Sequence, residues 1–436
     1  MLALGMRIPE ELLHFIWRFQ LFRPFHLQTS CGKSVEVISP GRYNVDAGPD
    51  FLFSELLIDK QRWYGHVELH VESKEWMLHR HHQDPAYNSV ILHVVWTGDS
   101  SCYLSDGTWI PNLILNNQVE EGLLGKAMDL LHNGNWLACA YRMKHIPMHV
   151  KLQAIQRSAV ERLESKTMQI MTLLERYNGD WERVTLSLIA GSFGFKVNKQ
   201  AFLDWSELIS LRILSKISDK PLQIQAMFFG QAGYLNAYKG KDSSVLNLKN
   251  EYHFLKHSNG LSEMTSFQWK FLRMRPYNFP TLKMAQLAGL YSLHINWFSR
   301  ILNVYAIEDL KQEIRDIVIP TFWRRHYHFE KCTDDHNTAL TEAFLDILAI
   351  NCFAPLLFAY GKHIRQANYM DKAMEWLERI AAEDNVISRN YRKAGLPSYS
   401  AMESQGLIHL QSNYCDVKRC LSCPIGAYIL QQPLSF

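Results

Sequence analysis

The chain has 436 residues, 47% of them hydrophobic and 20% charged, with a formal net charge of +3. This composition excludes intrinsic disorder, and the length is enough for two or three domains, each with its own core. So small a net charge argues neither for nor against a polyanionic partner.

Residues 1–145 carry 12 Lys+Arg against 16 Asp+Glu and the remainder 34 against 27, an acidic first third before a mildly basic remainder that reads as solvated surface. No apolar run reaches the roughly 20 residues that span a bilayer, and the first residues lack a secretory leader pattern. Eight cysteines in so long a chain do not make a disulfide framework. The expectation is a cytoplasmic protein with reduced thiols and no membrane partner.

In chain order, Ile8–Trp17 reads as a helix, with Pro9 in its first turn, Glu10 and Glu11 following, and apolar residues at three- and four-residue spacings. Val35–Ile38, Phe51–Ile58 and Trp63–Val71 read as strands, the last two joined by the polar turn Asp59–Arg62. Lys74–His82 reads as a short helix and Ser89–Trp96 as a central, buried strand. Cys102–Leu115 reads as a hairpin turning at Asp106–Gly107. Helical patterning dominates from Asn117 onward, with a long amphipathic run over Val150–Tyr177, a helix opened by Asp180, and a polar loop over Lys239–Asn247. Gly230–Gly233 lacks the spacing of a phosphate-binding loop.

The chemistry concentrates between Gly48 and Val95. Side chains two apart on a strand share a face, so Glu68 and His70 point the same way with His66 beside them, while Val67, Leu69 and Val71 face the core. Asp50 opens the neighbouring strand. Two carboxylates converging there need a cation between them, and oxygen ligands suit Mg2+ or Mn2+. His79, His81 and Asp84 follow, a plausible transition-metal set; His82, Tyr87 and His93 lie near in sequence. Taken singly, each histidine is more readily a satisfied structural residue, and Asp50 is a natural cap for its Gly-Pro-Asp turn. As a group beside Glu68 and His70 they read as a site, and one of them would serve as general base or phosphate partner.

Farther on, Arg273 and Arg275 alternate with aromatic and apolar residues ahead of Asn278 and are the candidate nucleic-acid contacts, against the plainer alternative of a basic loop on a core. Near the C-terminus, Cys415, Cys420 and Cys423 are spaced Cys-x4-Cys-x2-Cys, a thiol nest suited to Zn2+ or, second, to an iron–sulfur cluster. The fourth ligand stays open among His409, Cys332 and Cys352.

Pro49-Asp50 followed by Glu68-Leu69-His70 resembles the Pro-Asp…(Asp/Glu)-x-Lys signature of the restriction-endonuclease-like nuclease superfamily. The predicted order of helix, three strands, helix and strand is similar to that superfamily's core. The resemblance implies a metal-dependent nuclease with Asp50 and Glu68 as ligands, His70 where the pattern has lysine, and a first-helix glutamate, Glu10 or Glu11, at the site. Gly48-Pro49-Asp50-Phe51, Val67-Glu68-Leu69-His70 and the cysteine tail also resemble an uncharacterised bacterial family of unknown function over nearly the full chain. The expected fold is therefore α+β: a nuclease-like α/β domain over 1–145, a helical domain over 146–405, and a cysteine-containing segment over 406–436 packed on the helical domain. The expected function is phosphodiester hydrolysis in nucleic acid. The alternatives are a histidine-rich metal hydrolase of a small molecule, with His66, His70, His79 and His81 as ligands, and an inactive nuclease-like binding protein.

Overall fold

The structure is a computed structural model and describes residues 8–432. The chain forms two compact units. One comprises the described residues up to Arg157, Val386–Pro397 and those from Leu407 onward; the other comprises Ser158–Asn385 and Ser398–Gly406.

The first unit opens with helix α1 (Glu10–Arg18), which has Glu10 and Glu11 in its first turn, Arg18 in its last, and Leu12, Leu13, Phe15, Ile16 and Trp17 buried. Strands β1 (Val35–Ser39), β2 (Arg42–Tyr43), β3 (Phe51–Ile58) and β4 (Gln61–Glu72) follow. The β3–β4 hairpin closes on Asp59 and Lys60, both in the left-handed region at φ 53° and 66°, the backbone that a two-residue hairpin turn demands. Helix α2 (Glu75–Leu78) leads to 3-10 turns at His81–Gln83 and Pro85–Tyr87, then to β5 (Val90–Thr97).

The hairpin expected over 102–115 is partly different. Strands β6 (Cys102–Tyr103) and β7 (Trp109–Ile110) pair around Asp106–Gly107, but β8 (Asn112–Ile114) leaves them to join β5 in parallel. The main sheet runs β1-β3-β4-β5-β8, with β2 also on β3. β3 is antiparallel to both neighbours, whereas β4, β5 and β8 are mutually parallel. The mixed sheet and the helices make the fold α+β.

Beneath the sheet, Trp17, Phe51, Val67, Leu69, Leu92 and Val94 form one core with residues of helix α3 (Glu121–His132). Leu407, Leu410, Ile425, Ile429 and Leu430 belong to the same core. The segment from 407 onward thus completes the N-terminal unit, where the sequence suggested packing on the helical region. The boundary also falls later than 145, inside the continuous helix α4 (Met148–Arg176), because Val150, Ala154 and Ile155 face the first core and Ala159 and Leu163 the second.

The second unit is helical. Helices Pro221–Gln231 and Pro280–Leu293 are buried nearly all round. Asp180 caps helix α5 (Trp181–Phe193) through the Arg183 N–H, as its position suggested. The polar loop after Lys239 is shorter than expected, since Asp242 caps a helix starting at Ser243. One 23-residue helical stretch, Glu342–Ile364, is long and apolar enough to cross a membrane, but most of it is buried in this core.

Candidate metal centre

On β4 the alternation sends Val67 and Leu69 into the core and Glu68 and His70 to the opposite face. That face is covered too: Glu68 is 5% exposed and His70 2%. Its cover is the α2 segment, anchored by the fully buried Trp76, whose indole N–H donates to the Tyr103 carbonyl at 3.0 Å. Arg80 then takes a left-handed φ of 61°, which turns the chain sharply between His79 and His81. The His81 ring lies tilted on Tyr87 at 3.9 Å between centroids and stacks on His70 of β4 at 5.3 Å, so it is held against the sheet.

The result is a tight donor set. His70 Nε2 lies 3.1 Å from His79 Nδ1 and 3.6 Å from Glu68 Oε1, and His81 Nε2 lies 3.4 Å from that same oxygen. Ligand atoms of His70, His79 and His81 all fall within 4.8 Å of one another. An ion with bonds of about 2.0–2.1 Å in tetrahedral coordination separates its ligand atoms by about 3.3 Å. The 3.1, 3.4 and 3.6 Å separations lie on either side of that figure. His81 Nε2 is buried and makes no hydrogen bond, an orphan that a cation would satisfy.

A relay behind His70 sets its tautomer. Asn112 Nδ2 donates to the Ser100 carbonyl at 2.8 Å, which leaves Oδ1 to accept from His93 Nδ1 at 3.0 Å. His93 Nε2 must then accept from His70 Nδ1, 2.8 Å away. The lone pair of His70 is therefore on Nε2, facing the other donors.

On the other side of Glu68 stands Asp50. Its N–H donates to Glu68 Oε2 at 3.1 Å, and its Oδ2 accepts from the Leu69 N–H at 2.9 Å. His14 of α1 places Nε2 3.3 Å from Asp50 Oδ2, and Glu10 lies 3.8 Å beyond on the same helix.

Burial, then the Asp50 charge, pushes the Glu68 carboxyl far above the usual range, so it keeps a proton unless a cation replaces it. Burial lowers His70 strongly and takes His81 to about 4, leaving both as neutral donors at neutral pH. For His14 burial works downward, but the hydrogen bond and charge of Asp50 outweigh it and raise the imidazole.

Of the residues singled out in sequence, Asp50, Glu68, His70, His79 and His81 come together. His66 does not join: a bulge in the β4–β5 pairing turns it away, and its Nδ1 accepts from the Phe53 N–H at 3.2 Å. Asp84 caps its own turn through the Ala86 N–H. Glu10, rather than Glu11, approaches the site, through His14. Arg273, Arg275 and Asn278 lie in the other unit, both arginines exposed. Cys415, Cys420 and Cys423 line a void in the first unit, while Cys332 and Cys352 belong to the second. His14 and Asn112 were not singled out, since neither carries a local motif.

No curated protein and no solved structure matches the chain. A family model described as "Protein of unknown function (DUF2851)" matches residues 10–386, a span that contains every residue of the histidine site. The chain belongs to the DUF2851 family of proteins of unknown function.

Proposed function

We propose that the chain is a metal-dependent hydrolase of phosphodiester bonds in nucleic acid, with its metal held by Glu68, His70, His79 and His81. The observation that carries the metal is the convergence of the His70, His79 and His81 ring nitrogens within 4.8 Å of one another, with Glu68 Oε1 3.6 Å from His70 and 3.4 Å from His81. Three imidazoles favour Zn2+ over the oxygen-loving Mg2+ and Mn2+. The nuclease reading of the substrate draws support from the order α1, β1, β2, β3, β4, α2, β5, which differs from the expected order only by the two-residue β2 and the 3-10 turns, and from Asp50, just before β3, beside Glu68 of β4. When bound, the ion supplies an acidified water and polarises a phosphoryl oxygen.

The chain's own groups do the rest. Glu68 offers Oε1 to the ion while Oε2 stays anchored on the Asp50 N–H. Asp50, partly open to solvent, takes the proton from the attacking water. His14, whose imidazole Asp50 biases toward its protonated form, brings positive charge beside the site for an anionic substrate, a role the nuclease pattern gives to lysine. On the other unit, exposed Arg273 and Arg275 contact phosphates, so replacing both with Ala weakens nucleic-acid binding alike for all sequences and lowers its salt slope.

The test is metal content together with cleavage of single- and double-stranded DNA and RNA in Mn2+, Zn2+ or Mg2+. Wild type is expected to cleave, and Glu68→Gln to lose at least about a hundredfold of the rate. His66→Ala stays near wild type. A wild-type chain loaded with metal at the histidine site that cleaves no nucleic acid sinks the substrate assignment. The burial of Glu68 and His70 then favours a small-molecule substrate, the second reading.

A further inference from the structure

Four cysteines from distant parts of the chain meet in the first unit. Cys139 precedes the 3-10 turn Ala140–His145, and Cys415 closes the helical stretch that begins at Ala401. Cys420 opens the turn Cys420–Ser422, and Cys423 caps the helix Pro424–Gln431. All four line one void of about 20 Å³. The rest of its wall is largely apolar, with Leu130, Leu137 and Ala138. The Cys139 thiol is within electrostatic reach of the other three.

The surroundings hold this arrangement in place. At Gly426 a Cβ would strike the Cys420 carbonyl, so only glycine lets the Cys420 turn close against the last helix. Cys420 Sγ lies 3.5 Å from the Leu130 carbonyl, and Cys415 Sγ 3.2 Å from the Tyr391 hydroxyl. A void of this size has room for about one water, but a buried water needs two to four polar partners. Thiols in an apolar wall serve a soft metal better.

We propose that Cys139, Cys415, Cys420 and Cys423 hold one structural metal centre through four thiolates. Cys139 is the fourth ligand that the Cys-x4-Cys-x2-Cys motif lacks by itself. Four protein ligands leave a zinc ion no open position, so such a centre staples the unit. Each thiol that binds gives up its proton to solvent, so loading releases protons. A single Zn2+ and an iron–sulfur cluster share this ligand chemistry, and the experiment below tells them apart. The proposal does not depend on the hydrolase reading.

The experiment uses the full chain carrying His81→Ala, so that the histidine site contributes little metal. The chain is expressed with zinc or with iron and sulfide supplied, then examined by elemental analysis and absorption. About one zinc per chain, colourless, or a sulfide-containing iron centre absorbing near about 400 nm each supports a tetrathiolate centre and identifies it. Cys139→Ser is expected to lose the metal, and Cys332→Ser, in the other unit, to keep it. Should Cys139→Ser fail to fold, alkylation of the unsubstituted thiols decides. Cys139, Cys415, Cys420 and Cys423 are then protected together, and chelator exposes all four at once. A chain free of zinc and iron, full metal retention by Cys139→Ser, or independent alkylation of the four thiols overturns the proposal.

Discussion

Asn112 governs the donor set without touching it. Its amide orientation, fixed by Ser100, dictates that His93 accepts from His70 and so presents the His70 lone pair to the site. Asn112→Leu is expected to lower metal affinity by about 10–100-fold, measured by competition with a coloured chelator. Equal affinity in the variant would remove the relay from the account. A second residue-scale effect lies in the other unit. Lys283 is fully buried, and burial takes its amine down to about 7 from 10.5, with Gln286 Oε1 at 2.9 Å and the Tyr277 ring 4.3 Å from Nζ. Between about 7 and 10.5 the unfolded chain binds the proton and the folded chain does not, so this residue makes stability rise with pH over that window. The span is on the order of a few kcal/mol. Lys283→Met should flatten the rise in denaturant unfolding between pH 7 and 10. Glu68 and His70 were legible because strand alternation is a local rule. Asn112 was not, since its meaning comes from the β5–β8 pairing, which no neighbouring residue announces.

Strand β4 carries the site, and its register decides where the donors point. Gly65 sits where a side chain would meet Ile91 and the Ser89 carbonyl, the latter at 2.6 Å, so the strand lies close against the start of β5. Gly65→Val should cost about 1–3 kcal/mol by overpacking and also weaken metal binding, because it pushes apart the strands bearing Glu68 and His93. Chemical denaturation and metal titration on the same variant check both. An intact metal affinity at reduced stability would show that the donors tolerate the shift. Apolar runs bounded by turn residues were enough to find β3, β4 and β5, and period-two alternation assigned the faces of β4. It missed the bulge between His66 and Val67, which breaks the alternation and takes His66 away from its expected partners. It also missed the sharp turn at Arg80, since arginine is not a residue that signals left-handed backbone.

At the scale of the molecule, the first unit is assembled from three separated stretches. A domain boundary read along the sequence assumes each core is local, and here the apolar face of residues 407–430 belongs to a core begun by α1. Deleting everything after Gly406 should therefore unfold the first unit and abolish metal binding at Glu68, while the helical unit keeps its far-ultraviolet dichroism and hydrogen-exchange protection. Preserved metal binding in that deletion would show that 407–432 is dispensable. The same threading bears on synthesis. A ribosome delivers α1 and the whole sheet first, then the complete helical unit, and only afterwards Leu407, Leu410, Ile425 and Ile429. For more than 250 residues of elongation the nascent sheet waits with part of its apolar face uncovered, a substrate for chaperones and proteases. A message broken before codon 407 leaves a finished helical unit attached to an unfinished one, which marks the product for removal before its histidines can hold an ion.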